Sequence, residues 1–428
     1  MHPFSFCHAG NAAGMSNPFQ LSQEEHDSIY RLIEARYLPK SQPQEQPTAI
    51  ITGGQPGSGK SGITTQAKSE LAERGGYVLI DADKLRTFSP LYRPALEADD
   101  REAANLTHPD AGRWSQRLTV AGAQGRRNLI IDQTSKDAAS VENLASQLKD
   151  AGYRVELRVM AVNERISEQR IHTRYEQQKA IQGHGRFSTK NNHDLAYAGV
   201  AKAVETVEQN RSVDALYLYD KNHQRISENT LQDGEWTRPM TAALTMQAER
   251  SRPLTLDERQ ELAEQYDRLA AMLDTPERAA TAAERETLSA LRASSHHDLE
   301  AVAAKVAEFK QAANYSNDRD PMDSIVRRGT MIEVELRHQD LQKAPTTERL
   351  QQVARADLQD FNYLAGKPEQ LDVALAMRPL MGDPDYRAAV LQDAPEGFTS
   401  TLDAAQLAAE ELQGLDGPEL EQSPGFEP

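Results

Sequence analysis

Apolar residues recur in two rhythms along the chain. Between residue 48 and about 220, short apolar runs at 48–52, 77–80, 128–131, 154–162 and 213–219 read as buried strands. The amphipathic stretches 59–74, 99–123, 137–150, 163–181 and 194–209 alternate with them and read as helices. Such alternation specifies a mainly parallel sheet with helices on both faces and places ligands at the carboxyl ends of the strands. Ahead of it, Ile29, Leu32, Ile33 and Tyr37 fall at helical spacing, so residues 22–37 read as a helix, followed by a polar, proline-containing linker at 39–47. After about residue 240 the strand signals vanish. Helical spacing of Ala, Leu, Glu, Gln and Arg then runs through 256–273, 279–291, 298–312, 348–364 and 404–415. Breaks are expected at Pro276, at Ser294 and Ser295, at 314–321, and at Pro345 and Pro384. The expected organisation is therefore an α/β domain at 21–235 and an all-α domain at 240–413, between disordered ends at 1–20 and 414–428, the latter acidic and rich in Pro and Gly. Met15 is an expected natural start.

At 428 residues the chain exceeds the usual size of one core, in keeping with two domains. It contains no run of about eighteen apolar residues, so no membrane span is expected. The first residues lack the basic-then-apolar order of a secretory signal. Cys7 is the only cysteine, which excludes an intramolecular disulfide framework and a cysteine-rich metal site and fits a reducing cytoplasm. Lys and Arg number 48 against 65 Asp and Glu, a net charge of −17 that repels nucleic acid in bulk. Local basic patches remain conceivable at Arg126 and Arg127 or across 165–186.

The candidate chemistry begins where the first strand ends. Gly54, Gln55, Pro56, Gly57, Ser58, Gly59, Lys60 and Ser61 complete the pattern G-x-x-x-x-G-K-[ST], between an apolar run and a helical stretch. Glycines let several backbone N–H groups approach a phosphate without an intervening Cβ. Lys60 adds a cation near the β and γ phosphates, and the Ser61 hydroxyl can coordinate Mg²⁺. The helix beginning near Gly59 points its positive end at the same anion.

Carboxylates at neighbouring strand ends supply the rest. Asp81 and Asp83 follow the second strand, and strand alternation would point both to one side. Asp83 is the candidate base that takes the proton of an acceptor hydroxyl, the other reading for either residue being a cap for a helix starting at Lys84. Asp132 ends the third strand and is a candidate holder of Mg²⁺ or its waters, with Thr134 and Lys136 close to acceptor or phosphate; a plain cap for helix 137–150 is the alternative. Arg174 and Arg186 are candidates for stabilising charge on a transferring phosphoryl group, Arg186 on a glycine-containing loop expected to move over the nucleotide.

These motifs, in this order, resemble the zeta toxins of epsilon/zeta toxin–antitoxin systems: the phosphate loop, Ile80 to Asp83, Ile131 to Thr134, Thr173 to Glu176, then Gly185 and Arg186 ahead of His193 and Asp194. The resemblance covers roughly residues 20–230 and implies a P-loop kinase domain. It further implies ATP-dependent phosphorylation of a UDP-activated amino sugar, typically UDP-N-acetylglucosamine at its 3′-hydroxyl, which stalls cell-wall precursor synthesis. Carried over, Lys60 and Ser61 bind phosphate and Mg²⁺, Asp83 is the base, Thr134 contacts substrate, and Arg174 and Arg186 stabilise the transferring phosphate. ATP, with GTP as an alternative, and Mg²⁺ are the implied cofactors. A small helical antitoxin is the implied partner, and no membrane or nucleic-acid partner is expected. Asp132 stands where the family commonly has Glu, Lys136 where an arginine is frequent, and 95–116 matches the family's sugar-nucleotide pocket poorly. Other acceptors stay open (a nucleoside, an antibiotic hydroxyl or a polynucleotide end), as does a nucleotide-switched interaction protein. The helical half reads as a structural extension, a partner-binding module or a self-inhibiting one. His296 and His297, as sequence neighbours, cannot face one ligand on a helix.

Overall fold

The computed structural model describes residues 17–314, 321–343 and 345–415. Cys7, Met15, most of the expected disordered stretch at 1–20 and all but the first two residues of the tail at 414–428 lie outside the described residues. The described residues form two compact units. One runs to Arg250 and also takes in Asp274–Ala279; the other holds Ser251–Leu273 and the chain from Ala280 onward. The boundary thus falls later than residue 235, and a six-residue piece of the helical half belongs with the first unit.

In the first unit, α1 (Gln23–Tyr37) starts in a capping box in which Ser22 and Glu25 satisfy each other's backbone N–H groups. After it come β1 (Thr48–Gly53), α2 (Lys60–Ala72), β2 (Val78–Asp81), α3 (Ala82–Arg86), α4 (Tyr92–Ala98), α5 (Ala103–Leu106), α6 (His108–Gln124), β3 (Leu129–Asp132), α7 (Ala138–Asp150), β4 (Arg154–Met160), α8 (Glu164–Gln182), α9 (Lys190–Asn210), β5 (Ala215–Tyr219), β6 (Arg225–Gln232), β7 (Glu235–Trp236) and α10 (Ala242–Ser251). The sheet order is β2-β3-β1-β4-β5-β6-β7, with the first five strands of the chain mutually parallel and β6 and β7 added antiparallel. β1 is buried along its whole length because it has a parallel neighbour on each side and helices over its faces, which is why it reads as an unbroken apolar run. Register pairs Thr52 with Asp132 and Asp81 with Asp132, so the ends of β1, β3 and β2 stand side by side.

Two expectations give way here. The helix expected at 99–123 is α5 and α6, the latter opening at His108 with Pro109 in its first turn, where a missing N–H costs nothing. β6 was not anticipated: its sequence RISENTLQ is polar and mostly half-exposed, so no apolar alternation marks it.

The second unit contains α11 (Leu256–Leu273), α12 (Ala282–Asn314), α13 (Pro321–Lys343), α14 (Thr347–Tyr363), α15 (Glu369–Leu380), α16 (Pro384–Asp393) and α17 (Phe398–Leu415). Its core gathers Val302, Val306, Leu350, Phe361, Met377, Tyr386 and Leu402. The break expected at Ser294 and Ser295 is absent; α12 continues through both, and Ser295 is buried. No helix among the described residues is long and apolar enough to cross a membrane.

Candidate functional site

The turn from β1 into α2 is built for close approach. Gly57 has φ +79°, and a Cβ there would lie 1.9 Å from the Ser167 carbonyl oxygen, so only glycine fits. α2 starts after Gly59, which has no side chain to cap it, leaving the first N–H groups of the helix to an anion. Ser58 Oγ is buried without a hydrogen-bond partner. Lys60 Nζ donates to the Gly54 carbonyl oxygen at 2.8 Å. Burial pushes the Lys60 ammonium down to about 8; Asp132 opposes that shift, and the nearby charges of Arg186 and Arg174 add to it. On the outer side of the loop, His223 Nε2 lies 2.9 Å from the Gly59 carbonyl oxygen, and a Cβ on Gly62 would come within 2.1 Å of that ring nitrogen.

Asp81 and Asp83 are not related by strand alternation, because β2 ends at Asp81 and Asp83 lies in the first turn of α3. Asp81 is the cap: its Oδ1 accepts from the backbone N–H groups of Asp83 at 3.0 Å and Lys84 at 3.3 Å. Burial, then the adjacent charge of Asp132, raises the Asp81 carboxyl above its ordinary value. Asp83 Oδ1 accepts from Arg86 Nη1 at 2.6 Å, and Asp83 Oδ2 pairs with Arg186. Arg86 is itself buried.

Asp132 does not cap α7; that role falls to Asp137, which accepts from Ser140 N at 3.1 Å. Instead Asp132 accepts from Thr64 Oγ1 at 3.0 Å and Thr52 Oγ1 at 3.4 Å, which aims it between β1 and α2. The loop beyond it is locked to the phosphate loop: the Thr134 carbonyl accepts from Gly54 N at 3.0 Å, and Ser135 Oγ donates to the Thr52 carbonyl at 2.9 Å. Lys136 is exposed. With Arg86 it adds to the burial that keeps His108 below the usual histidine range. Ser61 is exposed on the first turn of α2. No group of three or more His, Cys, Asp or Glu poised to hold a metal exists among the described residues.

α8 brings Arg174 to the site with Nε and Nη2 buried and without a hydrogen-bond partner. Burial lowers the pKa of Arg174, and burial against the pull of Asp81 does the same for Arg186. The segment carrying Arg186, expected as a free loop, is tied down. Asp100 Oδ2 accepts from Gly185 N at 3.1 Å and Lys179 Nζ at 2.9 Å, Asp100 Oδ1 accepts from Tyr175 OH at 2.9 Å, and Arg186 N donates to Gln178 Oε1 at 2.8 Å. Burial alone would raise the Asp100 carboxyl, but Lys179, the Gly185 amide and Tyr175 bring it below its ordinary value. Sequence reasoning missed Asp100, Arg86 and Thr64, whose partners are distant in the chain or unremarkable in type.

The outcome is a glycine loop with three cations, Lys60, Arg174 and Arg186, each held below its ordinary pKa by burial and Lys60 further by the charges of the two arginines, beside carboxylates at the ends of β2 and β3. Half-buried cations gathered in this way, with Nε and Nη2 of Arg174 buried and without a hydrogen-bond partner, mark a polyanion site.

Residues 34–232 match the zeta toxin family. Toxin PezT of Streptococcus pneumoniae is 27% identical over 232 residues, 50% of this chain and 91% of that protein. Toxin zeta of Enterococcus hirae is 26% identical over 178 residues, 41% of this chain and 62% of that protein. A solved structure from the PezAT chromosomal toxin–antitoxin system of Streptococcus pneumoniae superposes with a TM-score of 0.52 at 21% identity, covering 60% of this chain and 99% of that one, which shows a shared fold.

Proposed function

On the match of residues 34–232 to the zeta toxin family, we propose that the protein is an ATP-dependent small-molecule kinase acting on the 3′-hydroxyl of UDP-N-acetylglucosamine or a related UDP-amino sugar. That match supports reading the chain as a kinase-like toxin. The observation that carries the kinase reading is Arg174, whose Nε and Nη2 have no hydrogen-bond partner, acting on Lys60 at a phosphate loop that Gly57 lets pack directly against the Ser167 carbonyl of α8. The γ-phosphoryl group of ATP supplies the missing negative charge, with GTP as the alternative donor. In the reaction, Asp83 takes the proton of the acceptor hydroxyl as its oxygen bonds to the γ-phosphorus and the bond to the bridging oxygen breaks. Lys60, Arg174 and Arg186 offset the charge that develops on the transferring group and the departing oxygen. Arg186, paired with Asp83 in the free protein, would exchange that carboxylate for phosphate and free the base.

Mg²⁺ fits the hard oxygen donors Ser61 and Asp132 and, bound to the phosphates, would neutralise their charge. Thr134 and Lys136 border the acceptor side. Arg86 and Lys136, whose positive charges both bear on His108, favour an anionic acceptor over a neutral nucleoside or antibiotic, and the net charge of −17 disfavours a polynucleotide. By analogy with relatives named as toxins, the proposed setting is the cytoplasm, with a small helical antitoxin, or the chain's own helical unit, as inhibitor.

The test is transfer of labelled phosphate from ATP to a panel of UDP-sugars, nucleosides and antibiotics by the full chain, beside growth arrest on expression. Asp83→Asn is expected to cut transfer by about 10²-fold or more and to relieve the arrest. Transfer only to a different acceptor would replace the substrate assignment, and arrest undiminished by Asp83→Asn would favour a nucleotide-switched interaction protein.

A further inference from the structure

Two arginines outside residues 34–232 reach the phosphate loop and the helix that carries Arg174. Gln55, the second residue of the phosphate loop, is fully buried and held on three sides. Its Nε2 donates to the Val162 carbonyl at 2.8 Å and to Ser167 Oγ at 3.2 Å, and its Oε1 accepts from Arg250 Nη2 at 2.9 Å. Ser167 Oγ lies 2.8 Å from His193 Nε2, and His193 Nδ1 lies 2.9 Å from Asp194 Oδ1. The serine–histidine–aspartate order suits hydrolysis in other settings, but Ser167 is wholly buried and bonded to Gln55, Asn163 and Glu164, so here the chain is a brace under the loop.

Arg250, near the end of α10, closes this brace. Its Nη1 donates to the Tyr197 carbonyl at 2.7 Å, its guanidinium lies 4.2 Å from the centre of the Tyr197 ring, and its carbonyl accepts from Asn163 Nδ2 at 3.0 Å. It is the last residue before the chain leaves the first unit. The second arginine, Arg278, sits in the short piece Asp274–Ala279 that returns to that unit. Its Nε and Nη2 clasp the two oxygens of Glu176 at 2.6 and 3.1 Å, with both side chains buried. Glu176 lies two residues beyond Arg174 on α8.

We propose that Arg250 and Arg278 are positioning residues of the nucleotide site, Arg250 fixing the phosphate loop through Gln55 and Arg278 fixing α8, and with it Arg174, through Glu176. The proposal rests on the kinase reading insofar as the ligand is ATP. Its consequence is that the catalytic unit is completed by residues beyond the matched segment, next to two of the three places where the chain passes between the units. Losing Arg250 leaves the Gln55 oxygen buried without a donor, and losing Arg278 leaves a buried carboxylate without a counter-charge. Either lets a catalytic element shift, and a displacement of about 1 Å costs on the order of 10²-fold in rate.

The experiment uses the full chain with R250A, R250K, R278A and R278K, reading thermal unfolding, the Kd of a fluorescent ATP analogue, and KM and kcat for phosphoryl transfer. R250A is expected to weaken ATP binding by about 10- to 100-fold with a smaller change in kcat. R278A is expected to do the reverse, lowering kcat with little change in Kd, because Arg174 acts on the transferring group. R278K keeps a charge opposite Glu176 and should recover most of kcat, while R250K, which can hold only one of the two oxygens well, should recover part of the affinity. If R250A or R278A does not fold, the lysine variants decide in the same way. Folded variants that bind and turn over within twofold of wild type overturn the positioning role alone, whereas a wild-type chain that binds no ATP overturns the kinase reading.

Discussion

Arg174 and Arg259, one in each unit, are both arginines with guanidinium nitrogens withdrawn from water, and they are treated in opposite ways. Around Arg259 each nitrogen is answered: Nε donates to the Leu254 carbonyl at 2.9 Å, Nη1 to Asp298, and Nη2 to Asp403 at 2.8 Å. At Arg174, Nε and Nη2 are left without a partner, and its charge bears on the ammonium of Lys60. A buried ion supplied with its counter-ions holds helices together; one left without them is held ready for a ligand that brings the charge. The same contrast separates Asp357 of the helical unit, which accepts from Arg337, His338 and Tyr386, from the adjacent carboxylates Asp81 and Asp132, where burial and then the charge of Asp132 raise Asp81.

The sharpest way to break this contrast is Arg174→Ala. Phosphoryl transfer should fall by about 10³-fold while the melting temperature holds or rises, since an uncompensated buried charge is removed; single-turnover kinetics and thermal unfolding read both. A loss of stability matching the loss of activity would mean that Arg174 is scaffold after all. Arg259→Ala should behave in the opposite sense, destabilising the helical unit by about 3–5 kcal/mol in urea titrations because Asp298 loses its pairing with Arg259 and Asp403 is left to Arg378, with ATP affinity unchanged. Gly62→Ala places a methyl group against the His223 ring and should cost about 1–3 kcal/mol of combined stability and nucleotide binding. The double variant with His223→Ala should recover it, which isothermal titration of ATP would show.

The gentlest probe is pH. Lys60, pushed down to about 8 by burial, is an ammonium below that value and neutral above it. ATP affinity should therefore hold up to about pH 8 and then fall by as much as about tenfold per unit, whereas Lys60→Arg should flatten that limb while binding more weakly throughout.

How far the sequence can be read depends on the range of the interactions involved. The phosphate loop and the order of strands and helices are legible because glycine spacing and apolar period are local properties. Asp83 as a candidate base is legible only as one of two carboxylates, since which of them caps a helix depends on where β2 stops, and that is settled by its pairing with β3. Asp100 meets Gly185 across 85 residues, and Arg250 meets Gln55 across 195, separations at which no local pattern carries a signal. In the helical half, α12 runs through two serines because Ser295 is buried by packing, which overrides the modest penalty serine carries within a helix.

The sheet ends at one margin in the two-residue strand β7 and at the other in the four-residue β2. So short a selvedge offers little main chain for an incoming strand to zip against. An inhibitor of this protein would have to grip side chains on its helical faces or plug the hollow itself, which restricts the architectures that evolution or a designer could use to silence it.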